Sequence, residues 1–197
     1  MAVTTLILVR HGETDWNRDG RWQGHADAPL NERGRAQARV LADELAGEEV
    51  AAVYSSDLRR ARETAEIIAA RLGREVCVDP RLREVHVGRW SGLTMVEIEA
   101  RFPDDVARWR AGDADHAFGD GETYAAMGQR VVAAVEEIAE RHPEEQVVVV
   151  LHGGPIRSLL AHAAGITYEE QRRRREHLTN CGYVRVAARD GVLTGLD

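Results

Sequence analysis

Apolar positions gather without alternation at three places in the chain: Thr5 to Val9, Ala51 to Tyr54 and Val147 to Leu151. Short runs of this kind predict strands buried on both faces, as in a parallel sheet. Each is followed, directly or after a loop, by polar and apolar positions in a helical period. Residues 31–46 align Ala38, Leu41 and Leu45, and residues 57–72 align Ala61, Ala65, Ile68 and Leu72. After the third run, Pro155 stands where a first helical turn tolerates it, and Ile156, Leu159, Leu160 and Ala163 follow. Residues 122–141 form a long amphipathic pattern through Tyr124, Met127, Val131, Val135 and Ile138. Strand and helix in alternation predict an α/β fold, three-layer α/β/α with a mostly parallel central sheet.

The segment 85–121 breaks that rhythm. Gly88, Gly92, Pro103, Gly112, Gly119 and Gly121 punctuate short helical pieces, which reads as a small cap or lid inserted into one domain spanning 1–197. The tail, Gly182 to Ala188 and then Val192 to Gly195, reads as a hairpin turning at Asp190-Gly191.

Composition narrows the partners. Lys and Arg number 26 against 33 Asp and Glu, a net charge of -7, which argues against nucleic acid or an anionic membrane surface. An anion must therefore be captured by a local positive pocket. Cys77 and Cys181 are far apart and in no metal-ligand spacing, so they read as reduced thiols of a cytoplasmic protein. The apolar run Leu6 to Val9 has no basic region before it and is not a signal peptide. The stretch 147–166 is interrupted by His152, Gly153-Gly154-Pro155, Arg157 and His162, which excludes a membrane span. A homo-oligomer is compatible with all of this, and the oligomeric state is open.

Ligands of open α/β sheets bind beyond the carboxyl ends of the strands. Those ends carry Arg10-His11-Gly12, Ser55-Ser56 leading to Arg59-Arg60, and His152-Gly153-Gly154. Guanidinium forks suit phosphate oxygens, and helix N-termini with glycine add backbone donors. The residues alone predict a phosphate site.

The same residues fall into ordered blocks. Leu8 to Asn17 reads Leu-Val-Arg-His-Gly-Glu-Thr-Asp-Trp-Asn, and Arg21 to Leu30 follows, with Gly34 and Gln37. Ser56 to Ala61 with Thr64-Ala65, Leu82-Arg83-Glu84 with Gly88 and Gly92, Gly121-Glu122-Thr123, and Leu151 to Gly154 complete the series. The chain thereby resembles the histidine phosphatase superfamily, in its phosphoglycerate-mutase-like branch, over nearly its whole length.

The resemblance implies a phosphoglycerate-mutase-like fold and a metal-independent phosphomonoesterase of small phosphorylated metabolites, with no cofactor. It implies His11 as the phosphorylated nucleophile, which must be neutral to attack; neighbouring arginines favour that form. Arg10 and Arg60 match the phosphate clamp, with Arg59 and Arg62 as rivals for the second place. His152 matches the second histidine, which donates to phosphoryl oxygens. Glu84 matches the acid that protonates the leaving oxygen and then deprotonates water; Glu122 and Glu13 are the next candidates. Asn17 and the Gly153 N–H match minor phosphate contacts, and Gln23 and Gly24 the pocket rim. Glu122 itself stays open between helix capping and a site role. Trp90 and Trp109 either line the cap pocket or pack. Arg172 to Arg175, between Glu169-Glu170 and Glu176, read as a charge-paired helix face. His25, His86, His116 and His142 share no metal spacing. Two competing functions remain: a phosphoglycerate mutase, which would carry Asn where this chain has Gly154, and a catalytically dead phosphate-binding regulator, which would lack a core residue.

Overall fold

The computed structural model describes residues 2–113, 116–174 and 178–196. In chain order the elements are β1 (Val3–Arg10), α1 (Asp15–Arg18), α2 (Glu32–Leu45), β2 (Val50–Ser55), α3 (Arg59–Leu72), β3 (Val76–Val78), α4 (Met95–Arg101), α5 (Pro103–Ala111), α6 (Tyr124–Arg141), β4 (Gln146–Leu151), α7 (Gly153–Ala163), α8 (Tyr168–Arg173), β5 (Tyr183–Arg189) and β6 (Val192–Leu196).

The strands form one sheet in the order β3-β2-β4-β1-β5-β6. β1, β2, β3 and β4 run parallel, while β5 is antiparallel to β1 and to β6. The sheet is thus mixed but mostly parallel. Side-chain alternation divides each central strand between two cores. Leu6, Leu8, Val147, Val149 and Leu151 join Met127, Val131 and Val135 of α6 and Ile156 and Leu159 of α7. Ile7, Val9, Val148 and Val150 join Leu41 and Leu45 of α2 and Ala61, Ala65 and Ile68 of α3. That double burial is why the runs lack alternation.

The hairpin turns where expected, with positive φ at both Asp190 (49°) and Gly191 (85°), the backbone that a two-residue turn between twisted strands requires. The segment 85–121 holds α4, α5 and short 3-10 turns at Gly88–Trp90 and Phe118–Asp120. Its Val87, Trp90, Ile98, Val106 and Phe118 are buried in the same core as α6 and α7. Arg172 pairs with Glu169 at 2.7 Å on α8, as a charge-paired face should; Arg175 and Glu176 lie outside the described residues. Among the described residues no helix is long and apolar enough to cross a membrane.

Candidate active site

Strand register assembles the site. Arg10 pairs with Leu151 in the β1–β4 ladder, and the His11 N–H extends it to the Leu151 carbonyl at 3.0 Å. The next residues, His11 and His152, therefore stand side by side, ring centroids 5.2 Å apart. Ser55 pairs with Val150 in the β2–β4 ladder, so Ser56 arrives beside His152 and its Oγ meets Nε2 at 2.7 Å. After β1 the chain turns toward α2 on one face of the sheet, and after β4 into α7 on the other. The crevice between β1 and β4 is a topological switch point.

His11 is 3% exposed. Its Nδ1 lies 2.7 Å from the Gly12 carbonyl. A carbonyl only accepts, so Nδ1 carries the proton and Nε2 keeps its lone pair. Burial first, then the charges of Arg60 and Arg10, hold its pKa well below the ordinary value near 6.5. His152 is held down in the same way by burial, Arg60 and His11. Both rings are neutral at neutral pH. Gly12 permits the close approach of α2: a Cβ there would lie 2.6 Å from the Gly34 carbonyl oxygen.

Burial separates the three arginines. Arg60 is 1% exposed, whereas Arg59 and Arg62 are exposed and Arg62 pairs with Glu66. Arg60 donates to the Ala26 and Gly24 carbonyls, each at 2.8 Å, so Gly24 anchors the Arg60 guanidinium through its backbone. Burial pushes the Arg60 pKa down to about 10 and also lowers that of Arg10. Arg10 donates to the Leu178 carbonyl at 2.7 Å. Nε of Arg10, Nε of Arg60 and Nδ1 of His152 are buried without a partner. Buried polar atoms without a partner are rare in folded chains, and three on the residues of one crevice, two of them guanidinium donors, suit an oxyanion with several acceptor oxygens.

Glu84 enters from a stretch without regular structure. Its carboxylate accepts from the Val85 N–H at 2.9 Å and the Gly154 N–H at 3.3 Å, which sets it against the first turn of α7. Gly153 opens that helix, so its N–H has no intrahelical acceptor. Asn17 forms a capping box with Thr14 at α1, and Asn180 links Asn17 Oδ1 to the His11 carbonyl. Gln23 is buried and accepts from the Thr14 hydroxyl at 3.1 Å. The two alternative acids are engaged elsewhere: Glu13 accepts from Asn31 and Glu122 pairs with Arg130.

Beside Arg10, Glu84 and Gly154 opens a cavity of about 250 Å³ whose lining also includes Trp22, Tyr124, Arg157 and Tyr168. Arg157 donates to the Tyr168 hydroxyl at 2.9 Å. Of the two readings for Trp90 and Trp109, packing holds. Trp90 is fully buried, and both stand edge-on against Trp22, the tryptophan that lines the cavity, at 5.3 and 5.6 Å.

Ser56, Thr64, Asn180, Arg130 and Arg157 were not singled out as site residues from sequence. Thr64 accepts from the Gly12 N–H and donates to the Arg60 carbonyl, joining the turn after His11 to α3 at Arg60. Ser56 and Thr64 lie inside the block that carries Arg60, and that block was their available signal. Among the described residues, no group of three or more His, Cys, Asp or Glu side chains is gathered as a metal site requires.

Comparisons with known proteins point to one family. The family model described as histidine phosphatase superfamily (branch 1) matches residues 6–195. The chain is 40% identical over 161 residues to phosphoserine phosphatase 1 of Hydrogenobacter thermophilus, covering 82% of this chain and 76% of that one. It is 37% identical over 189 residues to the probable phosphoglycerate mutase GpmB of Serratia proteamaculans, covering 92% and 83%. A solved mycobacterial glucosyl-3-phosphoglycerate phosphatase in complex with VO3 superposes with a TM-score of 0.84 at 36% identity, covering 92% of each chain.

Proposed function

The chain belongs to the histidine phosphatase superfamily, branch 1, and is a phosphomonoesterase of small phosphorylated metabolites; within that class we propose that it works in two steps through a phosphohistidine on His11. The observation that carries this reading is the setting of His11: buried, its Nδ1 proton committed to the Gly12 carbonyl at 2.7 Å, its Nε2 lone pair kept free of a proton by burial and by the charges of Arg60 and Arg10.

In the first step the Nε2 lone pair forms an N–P bond while the P–O bond to the leaving group breaks. Glu84 passes its proton to the departing oxygen. Arg10, Arg60 and His152 hold the equatorial oxygens, where the charge is concentrated. The Ser56 hydroxyl lies 2.7 Å from Nε2 of His152; in this mechanism it donates there, and the ring proton sits on Nδ1, the atom without a protein partner. In the second step Glu84 takes a proton from water, which attacks phosphorus. The N–P bond breaks, its electron pair returns to Nε2, and inorganic phosphate leaves. Asn17 and the Gly153 N–H serve as further phosphate contacts, and Gln23 steadies the α1 end of the pocket.

The leaving group occupies the cavity beyond Glu84. A cavity of about 250 Å³ walled by Arg157, Tyr124 and Tyr168 suits a small polar alcohol, and an added carboxylate would meet the Arg157 guanidinium. Relatives named for phosphoserine and glucosyl-3-phosphoglycerate support substrates of this kind. A cytoplasmic setting suits the two free cysteines.

The relative named a probable phosphoglycerate mutase favours a second reading, in which the phosphoryl group returns to the substrate rather than to water. Incubation with 3-phosphoglycerate and 2,3-bisphosphoglycerate together separates the two. The phosphatase reading expects inorganic phosphate and no 2-phosphoglycerate; rapid interconversion of the isomers would replace it with the mutase reading.

A further inference from the structure

Glu84 sits in the stretch 83–87, which has no helical or strand hydrogen bonding of its own. A catalytic group placed on a loop needs other groups to fix its backbone. The guanidinium of Arg130, projecting from α6, does this with every donor it has. Nε and Nη2 meet the two carboxylate oxygens of Glu122, each at 2.8 Å. Nη1 donates to the carbonyls of Arg81 and Arg83, each at 2.7 Å. Nη2 also donates to the carbonyl of Glu84 at 2.8 Å. A guanidinium has five N–H groups, and these five bonds use them all.

Glu122 completes the grip. Its Oε2 accepts from the His86 N–H at 3.2 Å, and its own N–H donates to the His86 carbonyl at 2.7 Å. The pair therefore holds the chain on both sides of Glu84. His25 adds a second donor to the Glu84 carbonyl at 2.8 Å. Both partners of the ion pair are mostly shielded, with side chains 22% and 18% exposed.

We infer that Arg130, held in orientation by Glu122, is a positioning residue for the general acid: it fixes the Glu84 backbone so that the carboxyl reaches the leaving oxygen. This rests on the role proposed for Glu84. A residue that merely stabilised the fold would, when altered, slow every substrate alike. A residue that aims the acid affects substrates whose leaving group needs a proton, alkyl phosphates, and spares nitrophenyl phosphate.

The test measures the rate of enzyme phosphorylation, by rapid quench, for an alkyl phosphate and for nitrophenyl phosphate. The variants are Arg130→Lys, which keeps the charge but not the fork, Glu122→Gln, which keeps the volume and one acceptor, and Glu84→Gln as reference. Arg130→Lys is expected to lose about 10²-fold on the alkyl substrate, the cost of a misplaced catalytic group. It should lose less than about threefold on nitrophenyl phosphate, which needs no acid. Glu122→Gln should show the same selectivity more weakly. If Glu84→Gln is leaving-group selective and the other two folded variants are not, the positioning role is overturned and the acid role stands. If Glu84→Gln itself shows no selectivity, the acid role falls and the positioning role with it.

Discussion

Gly154 and Glu84 occupy adjoining space so closely that a Cβ on residue 154 would overlap Oε1 of the Glu84 carboxylate and stand 3.2 Å from Sδ of Met127. The atoms in the way are the far ends of flexible side chains, so the fold can yield cheaply. The Glu84 carboxyl cannot move without leaving the Gly154 N–H that it accepts. Gly154→Ala should therefore leave stability within about 1 kcal/mol of wild type while lowering turnover of alkyl phosphates by about 10-fold or more. Urea unfolding and steady-state rates check this together; equal rates in variant and wild type would contradict it.

Ser56→Ala tests the support under His152. The Ser56 Oγ stands 2.7 Å from Nε2 of a ring that is 0% exposed, and its removal leaves that nitrogen buried and unpaired. The expected cost is about 1–3 kcal/mol of stability, with a lower kcat because the ring loses the bond that sets its tautomer. A variant as stable as wild type would show that water restores the bond.

The histidine pKa values fix two pH dependences. His11 and His152 are both held well below their ordinary value near 6.5. The unfolded chain therefore binds protons that the folded chain refuses as pH falls below about 6.5. Stability should decline on acidification from about pH 6.5 down through the folded values, with a slope of up to about 1.4 kcal/mol per pH unit for each histidine. His11→Asn should flatten that slope, measured by urea titration. Turnover, in contrast, should show no acid limb centred near 6.5, because His11, the proposed nucleophile, remains neutral there. A kcat/KM that halves at pH 6.5 and keeps falling would contradict a neutral His11.

In the proposed mechanism the charge on the transferred group falls to Arg10, Arg60 and His152, and the described residues gather no cluster of acidic, histidine or cysteine ligands. Phosphate release from nitrophenyl phosphate should survive excess chelator unchanged. Loss of activity with rescue by magnesium would overturn this.

Much of this architecture could be read from residue patterns because the physics is local or periodic. Strands buried on both faces leave unbroken apolar runs, and the register of β1 on β4 then makes neighbours of His11 and His152 without further information. The Asp190-Gly191 turn was legible because few residues tolerate positive φ twice in succession. β3 was not legible: it is three residues on a sheet edge, mostly exposed, with no pattern to declare it. Arg130 was invisible for a different reason. Three of its five bonds go to backbone carbonyls, which carry no residue identity and so leave no mark in the chain. Glu122 could be read as a cap because it precedes α6; only the fold turns its carboxylate toward Arg130. Whether Trp90 and Trp109 line the cavity or pack stays open in the sequence, because a tryptophan that lines a pocket and one that braces it have the same composition.

The central claim is that the phosphoryl group passes through a covalent bond to His11, and trapping that bond tests it most directly. Wild-type enzyme quenched during turnover of a radiolabelled phosphomonoester should carry label that is stable in alkali, labile in acid and located by peptide mapping at His11. His11→Asn, folded by circular dichroism, should carry none and turn over no substrate. Label on another residue, or normal turnover by the variant, would contradict the account.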